Sequence, residues 1–466
     1  MPVVAAFKKK FIGTKAFYFY ILGIAVPMII QNAITSFVSF LDNIMVGQIG
    51  TEQMTGVAIV NQLVFVFNVT MFGGVSGAGI FGTQFFGKGD HEGHKYSFRF
   101  KLYTCGLLTL LALLLGRFCD TGLISLYLSD SGSIGDIKLA LQYGKEYLAI
   151  MLIGLIPFAL SQVYISTIRE TGQTLVPMLA GMIAVFTNLI LDYLLIFGIG
   201  PFPVMGVEGA AIATVISRFV ECLIVVLWAH SNSGKNKYLI GAYRSFYIPT
   251  HILKNILMKG SPLILNEIFW ATGMTAIVQC YSVRGLEIIA AQNISSTINN
   301  LFNIVYIQLG SSIAIVVGQL LGAGKLEEAR DTDNKMIFFS VTACMAVSLV
   351  MCMVGGYFPS IYKTEESIKA LAAQLIIISA LLMPLCSFCH CTYFTLRSGG
   401  KTGITFLFDS VFTWVVFIPA AYYFSSHTTL PFILVFGIVQ SLEFLKAIIG
   451  FFMVRSNVWL NNIVNH

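Results

Sequence analysis

Gln84-Phe85-Phe86-Gly87-Lys88-Gly89 recurs 235 residues later as Gln319-Leu320-Leu321-Gly322-Ala323-Gly324. Without gaps, the same offset sets Pro27 on Pro262, Gly50 on Gly285, Glu52 on Glu287, Asn68 on Asn303, Ser76 on Ser311 and Glu92 on Glu327. A second offset, of 228 residues, aligns Arg169-Glu170-Thr171-Gly172-Gln173-Thr174 with Arg397-Ser398-Gly399-Gly400-Lys401-Thr402. Similarity at a fixed offset marks a duplicated architecture. The chain therefore reads as two related halves.

Around these motifs the sequence is mostly apolar. Of 466 residues, 56% are hydrophobic and 11% charged, with a mean hydropathy of +0.81, whereas soluble domains carry roughly 25% charged residues. Runs long enough to cross about 30 Å of hydrocarbon as helices recur from Phe17 to Val454,. The predicted spans are 17–42, 54–80, 98–116, 141–166, 174–198, 208–230, 254–282, 288–317, 336–357, 371–396, 404–424 and 431–453. Lys8, Lys9, Lys10 and Lys15 precede the first run, and no small-residue cleavage site follows it at signal-peptide distance, so the run is expected to stay as a first helix,. The nine cysteines lie almost entirely in apolar stretches and read as small hydrophobes, not as a disulfide framework,.

Charge sets the orientation. Twenty of the 28 Lys and Arg fall on the side shared by both termini and six on the other, with Arg218 and Lys446 placed inside helices. The positive-inside rule then predicts both termini in the cytoplasm of a multi-pass protein of the inner or plasma membrane. Six helices per half is an even number, so the halves enter from the same side as parallel repeats, with a substrate route expected between them. The lobes are predicted as 1–230 and 254–466, joined by a cytoplasmic linker over 231–253 that opens with the polar run Ser231-Asn232-Ser233-Gly234-Lys235-Asn236-Lys237,.

These residues resemble the multidrug and toxic compound extrusion (MATE) family. The likeness rests on Leu41-Asp42-Asn43-Ile44-Met45-Val46-Gly47, the two duplicated glycine motifs, Asn188-Leu189-Ile190-Leu191-Asp192 and Gly206-Val207-Glu208-Gly209-Ala210-Ala211-Ile212-Ala213-Thr214. It covers essentially the whole chain. The resemblance implies a V-shaped bundle of two six-helix lobes, alternating access, and export of organic, often cationic, compounds against inward Na⁺ or H⁺.

Individual side chains add to this reading. Asp42 lies near the end of helix 1 with Gln31, Thr35 and Ser39 along one face, a pattern that suits a wet cavity; the plain alternative is an interfacial carboxylate,. Asn188 and Asp192 are four apart and share a face of helix 5, which suits a hard cation, a proton relay or an interhelical hydrogen bond,. Two unpaired carboxylates on one cavity repel, and uptake of Na⁺ or H⁺ relieves that repulsion. Asp42, Asn188, Asp192 and Thr214 match the family's N-lobe cation site, so the resemblance gives them the coupling role and Na⁺ ligation. Glu267 matches the acidic position of helix 7 and is expected to take a proton, a cation or a cationic substrate. The acid the family often carries in helix 10 is missing here, since Cys386 stands near that place. Gln292, Ser296, Asn299 and Asn303 form a polar stripe on helix 8 that either lines a substrate cavity or bridges helices,.

Other motifs are expected to be structural. Cys386-Ser387-Phe388-Cys389-His390 spells a haem-attachment string inside an apolar helix, and His91 with His94 reads as solvated loop,. Arg218 with Glu221, and Glu443 with Lys446, are three apart and predict internal ion pairs,. The chain contains no P-loop and no zinc H-E-x-x-H string, so it is not expected to be an enzyme or to need a cofactor beyond the coupling ion,. Expected partners are small organic molecules and membrane lipids, without nucleic acid, with a single chain as the working unit. The rival readings are a flippase for a lipid-linked precursor, which predicts a basic cavity for phosphate, and a membrane-embedded hydrolase, which predicts an intramembrane nucleophile or metal.

Overall fold

In lipid every backbone N–H and C=O must find a partner within the protein, and the helix satisfies them locally. The computed structural model describes residues 10–127 and 137–465, which leaves Lys8 and Lys9 outside the described residues. Among the described residues, twelve helices are long and apolar enough to cross a membrane. They are α1 (Lys15–Gly47), α2 (Thr51–Lys88), α3 (His91–Phe118), α4 (Ile137–Glu170), α5 (Leu175–Phe197) and α6 (Gly206–Ser231), then α7 (Thr250–Ser282), α8 (Leu286–Gly322), α9 (Leu326–Gly355), α10 (Glu366–Ser398), α11 (Thr402–Ser426) and α12 (Phe432–Arg455). Every predicted span finds its helix, and the chain is an all-helical, multi-pass membrane protein.

The observed helices overrun the predicted ones mainly at the Lys/Arg-rich end. Helix α3 begins at His91 and α9 at Leu326, roughly two and three turns before the apolar runs do,. These added turns are amphipathic, so hydropathy alone does not mark them. Within the first turns of α3, His94, Arg99 and Lys101 are buried, so residues counted from sequence as loop groups are helical and inside.

The duplicated motifs are helix ends. Gly89 and Gly324, 235 apart, take φ of 78° and 75°; Gly172 and Gly400, 228 apart, take 81° and 71°. A left-handed turn strains any side chain with a Cβ, so glycine survives in both copies.

The chain forms two compact units. One comprises residues 30–82 and 91–254. Its cores include Phe67, Met71, Phe98, Tyr164 and Tyr238, and a second group around Val60, Tyr147, Met151 and Ala211. The other unit comprises 1–29, 83–90 and 255–466. There Ile21, Ile24 and Met28 of α1 pack with Ile313, Val317 and Leu321 of α8 and with Trp459. Helix α1 passes from one unit to the other just after Pro27, where the proline ring removes one backbone hydrogen bond of the helix,.

Candidate ion-coupling site

Within the 30–82/91–254 unit, α1, α2, α4, α5 and α6 bring polar groups together among apolar side chains. Asp42 comes from the last turns of α1, and Asn188 and Asp192 from one face of α5. The carboxyls of Asp42 and Asp192 approach each other closely enough to share a hydrogen bond. Two carboxyls can do this only when a proton lies between them, and a bound cation is the electrostatic equivalent. Each also keeps a buried oxygen, Oδ1, with no hydrogen-bond partner among the described residues. Asp192 is 2% exposed, so an unfilled lone pair there is costly.

Thr214 closes the set from α6. Asn188 Nδ2 donates to Thr214 Oγ1 at 3.4 Å, and Thr214 Oγ1 donates to Ala210 O at 3.0 Å. Asp42, Asn188, Asp192 and Thr214, chosen from sequence, thus lie in one constellation. Sequence reading missed Tyr147 of α4, which is 4% exposed, donates to Asn61 Oδ1 at 3.3 Å and contacts Thr214. A buried tyrosine needs a partner for its hydroxyl, but nothing in the sequence says that the partner belongs to this site.

The rest of the α1 face is arranged differently. Arg169 Nη2 donates to Gln31 Oε1 at 2.7 Å, and Thr35 Oγ1 bonds back to Gln31 O at 2.9 Å. Thr35 and Ser39 are exposed.

A second polar network lies in the other unit. Glu267 Oε1 accepts from Tyr393 Oη at 3.4 Å. Beside it, Asn266 Nδ2 donates to Asp409 Oδ2 at 3.1 Å, Ser410 Oγ donates to Asn266 Oδ1 at 2.8 Å, and Lys446 Nζ lies 2.9 Å from Asp409 Oδ1. Asp409 sits in the first of two wide, π-helical turns in α11, at Leu407–Val411 and Thr413–Phe417. Such turns re-aim side chains and recur at functional sites. The predicted Glu443–Lys446 ion pair is thus replaced by a bridge to a neighbouring helix: the wide turn brings Asp409 within reach of the ammonium. On the polar face of α8, Asn299 Nδ2 donates to Ser295 Oγ at 3.2 Å and Ser379 Oγ at 3.1 Å, so it does bridge helices. Gln292 Oε1 and Asn299 Oδ1 remain as buried acceptors without a partner among the described residues. Ser296 is exposed and Asn303 half-buried.

Several further expectations are corrected. His94 is 1% exposed, and its Nε2 lies 3.2 Å from Glu170 Oε2. Glu170 also takes the fully buried Lys101 ammonium, which in turn lies 3.0 Å from Thr167 Oγ1. Charged groups settle in the interior here because each is paired. Arg218 makes no ion pair with Glu221 within 4 Å among the described residues; its guanidinium lies 5.1 Å from the Phe158 ring centre, and Nη1 has no hydrogen-bond partner. As expected, His390 lies inside α10, its ring tilted by 59° against that of Tyr306 with centres 4.7 Å apart. No group of three or more His, Cys, Asp and Glu at metal-binding spacing occurs among the described residues.

Comparison with known proteins places the chain in a family. The MatE family model matches residues 27–194 and 262–423, two stretches that begin 235 residues apart, the offset of the internal repeat. A protein described as a probable multidrug resistance protein NorM of Thermotoga maritima is 24% identical over 408 residues, covering 86% of this chain and 84% of that one. A Bacillus subtilis protein of the same description is 22% identical over 414 residues, covering 88% and 89%. Among solved structures, the outward-facing conformation of a multidrug resistance MATE family transporter superposes with a TM-score of 0.83 at 21% identity, covering 94% of this chain and 95% of that one. The Vibrio cholerae MATE transporter VcmN in its bent form gives 0.81 at 16% identity, covering 96% and 99%.

Proposed function

The chain belongs to the MatE family of transporters, and from that premise we propose that it is a secondary active antiporter exporting organic, often cationic, compounds in exchange for H⁺ or Na⁺. The observation that carries this reading is the pair Asp42–Asp192, close enough to share a hydrogen bond and each holding one buried oxygen without a partner among the described residues. Without a proton or cation the pair holds two like charges in apolar surroundings, a state that favours separation of α1 from α5. With one bound the two helices are drawn together, so occupancy biases the packing of the unit, which is what coupling requires. Asn188 and Thr214 supply neutral oxygens for Na⁺ and Tyr147 a hydroxyl, all hard ligands.

Glu267 is assigned to the cationic end of the substrate. Its neighbour Asp409 is committed to Lys446, whereas Glu267 accepts from the Tyr393 hydroxyl, which the Arg397 guanidinium also reaches, and has no ion pair within 4 Å among the described residues. The unpartnered acceptors of Gln292 and Asn299 favour a ligand rich in N–H groups,. The names of the relatives, multidrug resistance proteins, agree with a substrate range wider than one compound. The working lobes are read as 1–230 and 254–466, moving about the 231–253 linker, with both termini cytoplasmic and a single chain sufficient.

The test is efflux of a cationic dye from vesicles carrying the purified chain, under Na⁺ and pH gradients imposed separately. One gradient is expected to drive efflux in the parent, and Asp42→Asn, Asp192→Asn and Glu267→Gln are each expected to reduce it strongly. Undiminished gradient-driven efflux in all three removes the carboxylates from the mechanism. The buried, unpartnered Arg218 Nη1 favours a second reading, in which a lipid-linked phosphate is moved. Under that reading Arg218→Gln stops the flipping of a fluorescent pyrophosphate-linked lipid and leaves dye efflux intact.

A further inference from the structure

After α12 the chain turns back into the fold. Asn457 adopts a left-handed φ of 56°, which asparagine tolerates better than most side chains. Trp459 follows, 1% exposed, with Nε1 donating to Val454 O at 3.0 Å. Residues 461–464 then lie across the ends of α2, α8 and α10. Gln84, fully buried at the end of α2, donates through Nε2 to Ser398 O at 2.9 Å and Asn461 O at 3.2 Å and accepts from Ile463 N at 2.8 Å. Asn462 Nδ2 donates to Gly322 O at 3.1 Å, and Lys88 Nζ to Val464 O at 3.0 Å. The segment thereby satisfies helix-end groups that would otherwise be orphaned.

These bonds surround the place where the duplicated motif meets its own copy. A Cβ on Gly87 would lie 2.0 Å from Gln319 O, and a Cβ on Gly322 would lie 1.9 Å from Gln84 O. The two crossings are reciprocal, as a two-fold relation between repeats demands. Backbone meets backbone here without room for a methyl group. Residues 83–90 belong through these contacts to the unit built from 255–466, while the rest of α2 belongs to the other.

We propose that residues 456–465 form a strap that locks the glycine-rich end of α2 onto α8 and α10, and that release of Gln84 from this strap must precede parting of the α2–α8 crossing. The glycine contact itself is van der Waals packing of backbone on backbone. The strap adds hydrogen bonds that fasten both sides at once, giving the crossing two discrete states, fastened and free. The consequence for transport rests on the alternating-access reading, but the test does not use transport.

Amide hydrogen exchange of the full chain in lipid nanodiscs is compared among the parent, Gln84→Leu, Asn462→Ala and a deletion of 457–466. Amides over 84–90 and 319–325 are expected to exchange faster, by roughly five- to ten-fold for each buried hydrogen bond lost, most in Gln84→Leu and the deletion and least in Asn462→Ala. Amides of the turn at 282–286, on the far side, are expected to keep the parent rate. Faster exchange of 461–464 in Gln84→Leu with unchanged rates over 84–90 and 319–325 overturns the proposal, because the segment then covers the crossing without holding it. Equal acceleration at 282–286 overturns it too, as general loosening. If the deletion fails to fold, the two point variants decide.

Discussion

Asp192 is the residue on which the coupling argument turns, because a carboxylate 2% exposed that meets a second carboxyl instead of a base requires something positive to be present. Asp42→Asn and Asp192→Asn are each expected to lower gradient-driven efflux by at least about ten-fold. The double variant is expected to be no worse than either single one, since the two act as one unit; fully multiplicative losses in vesicle efflux would separate them. Tyr147→Phe removes only a hydroxyl and is expected to raise the ion concentration needed for half-maximal efflux several-fold, about 1 kcal/mol of lost hydrogen bonding, with the maximal rate kept. The acid–amide pair of α5 was legible from its spacing of four. Tyr147 was not, because a lone tyrosine in an apolar run carries no periodic signal and its partners lie on α2 and α6.

At the scale of elements, hydropathy located all twelve spans but misjudged where polar helix turns continue. The early start of α3 depends on Glu170 of α4, which accepts Lys101 and faces His94, and a partner 69 residues away is invisible to a local window. The wide turns of α11 are a second case. They bring Asp409 to Lys446 and void the simpler pairing of Lys446 with Glu443 on its own helix. Lys446→Met is expected to destabilise the protein by about 3 kcal/mol, because it strands a half-buried carboxylate, and Lys446→Met with Asp409→Leu to regain much of that loss. Thermal unfolding in detergent measures both. A double variant no more stable than the single one would mean that the bridge does more than neutralise charge.

For the whole molecule, binding of the coupling ion to the folded state must raise stability by mass action, by about 2.7 kcal/mol at a hundred times its dissociation constant. The unfolding midpoint is therefore expected to rise either with Na⁺ or with falling pH, and Asp192→Asn is expected to flatten that dependence. A midpoint in the parent that ignores both variables would remove ion binding from the resting protein.

The sequence by itself determined the membrane habit, the number of helices and the duplication, because length, hydropathy and the need for glycine at left-handed turns are local properties that each copy must satisfy alone. It also marked Gln84-Phe85-Phe86-Gly87-Lys88-Gly89 as repeated without saying why. Only the tertiary structure decided that this motif packs on its own copy, that Gln84 is held by residues nearly 380 positions away, and which buried charges are paired. Those outcomes depend on which helix faces which, and that is set by packing among distant segments that no local pattern encodes.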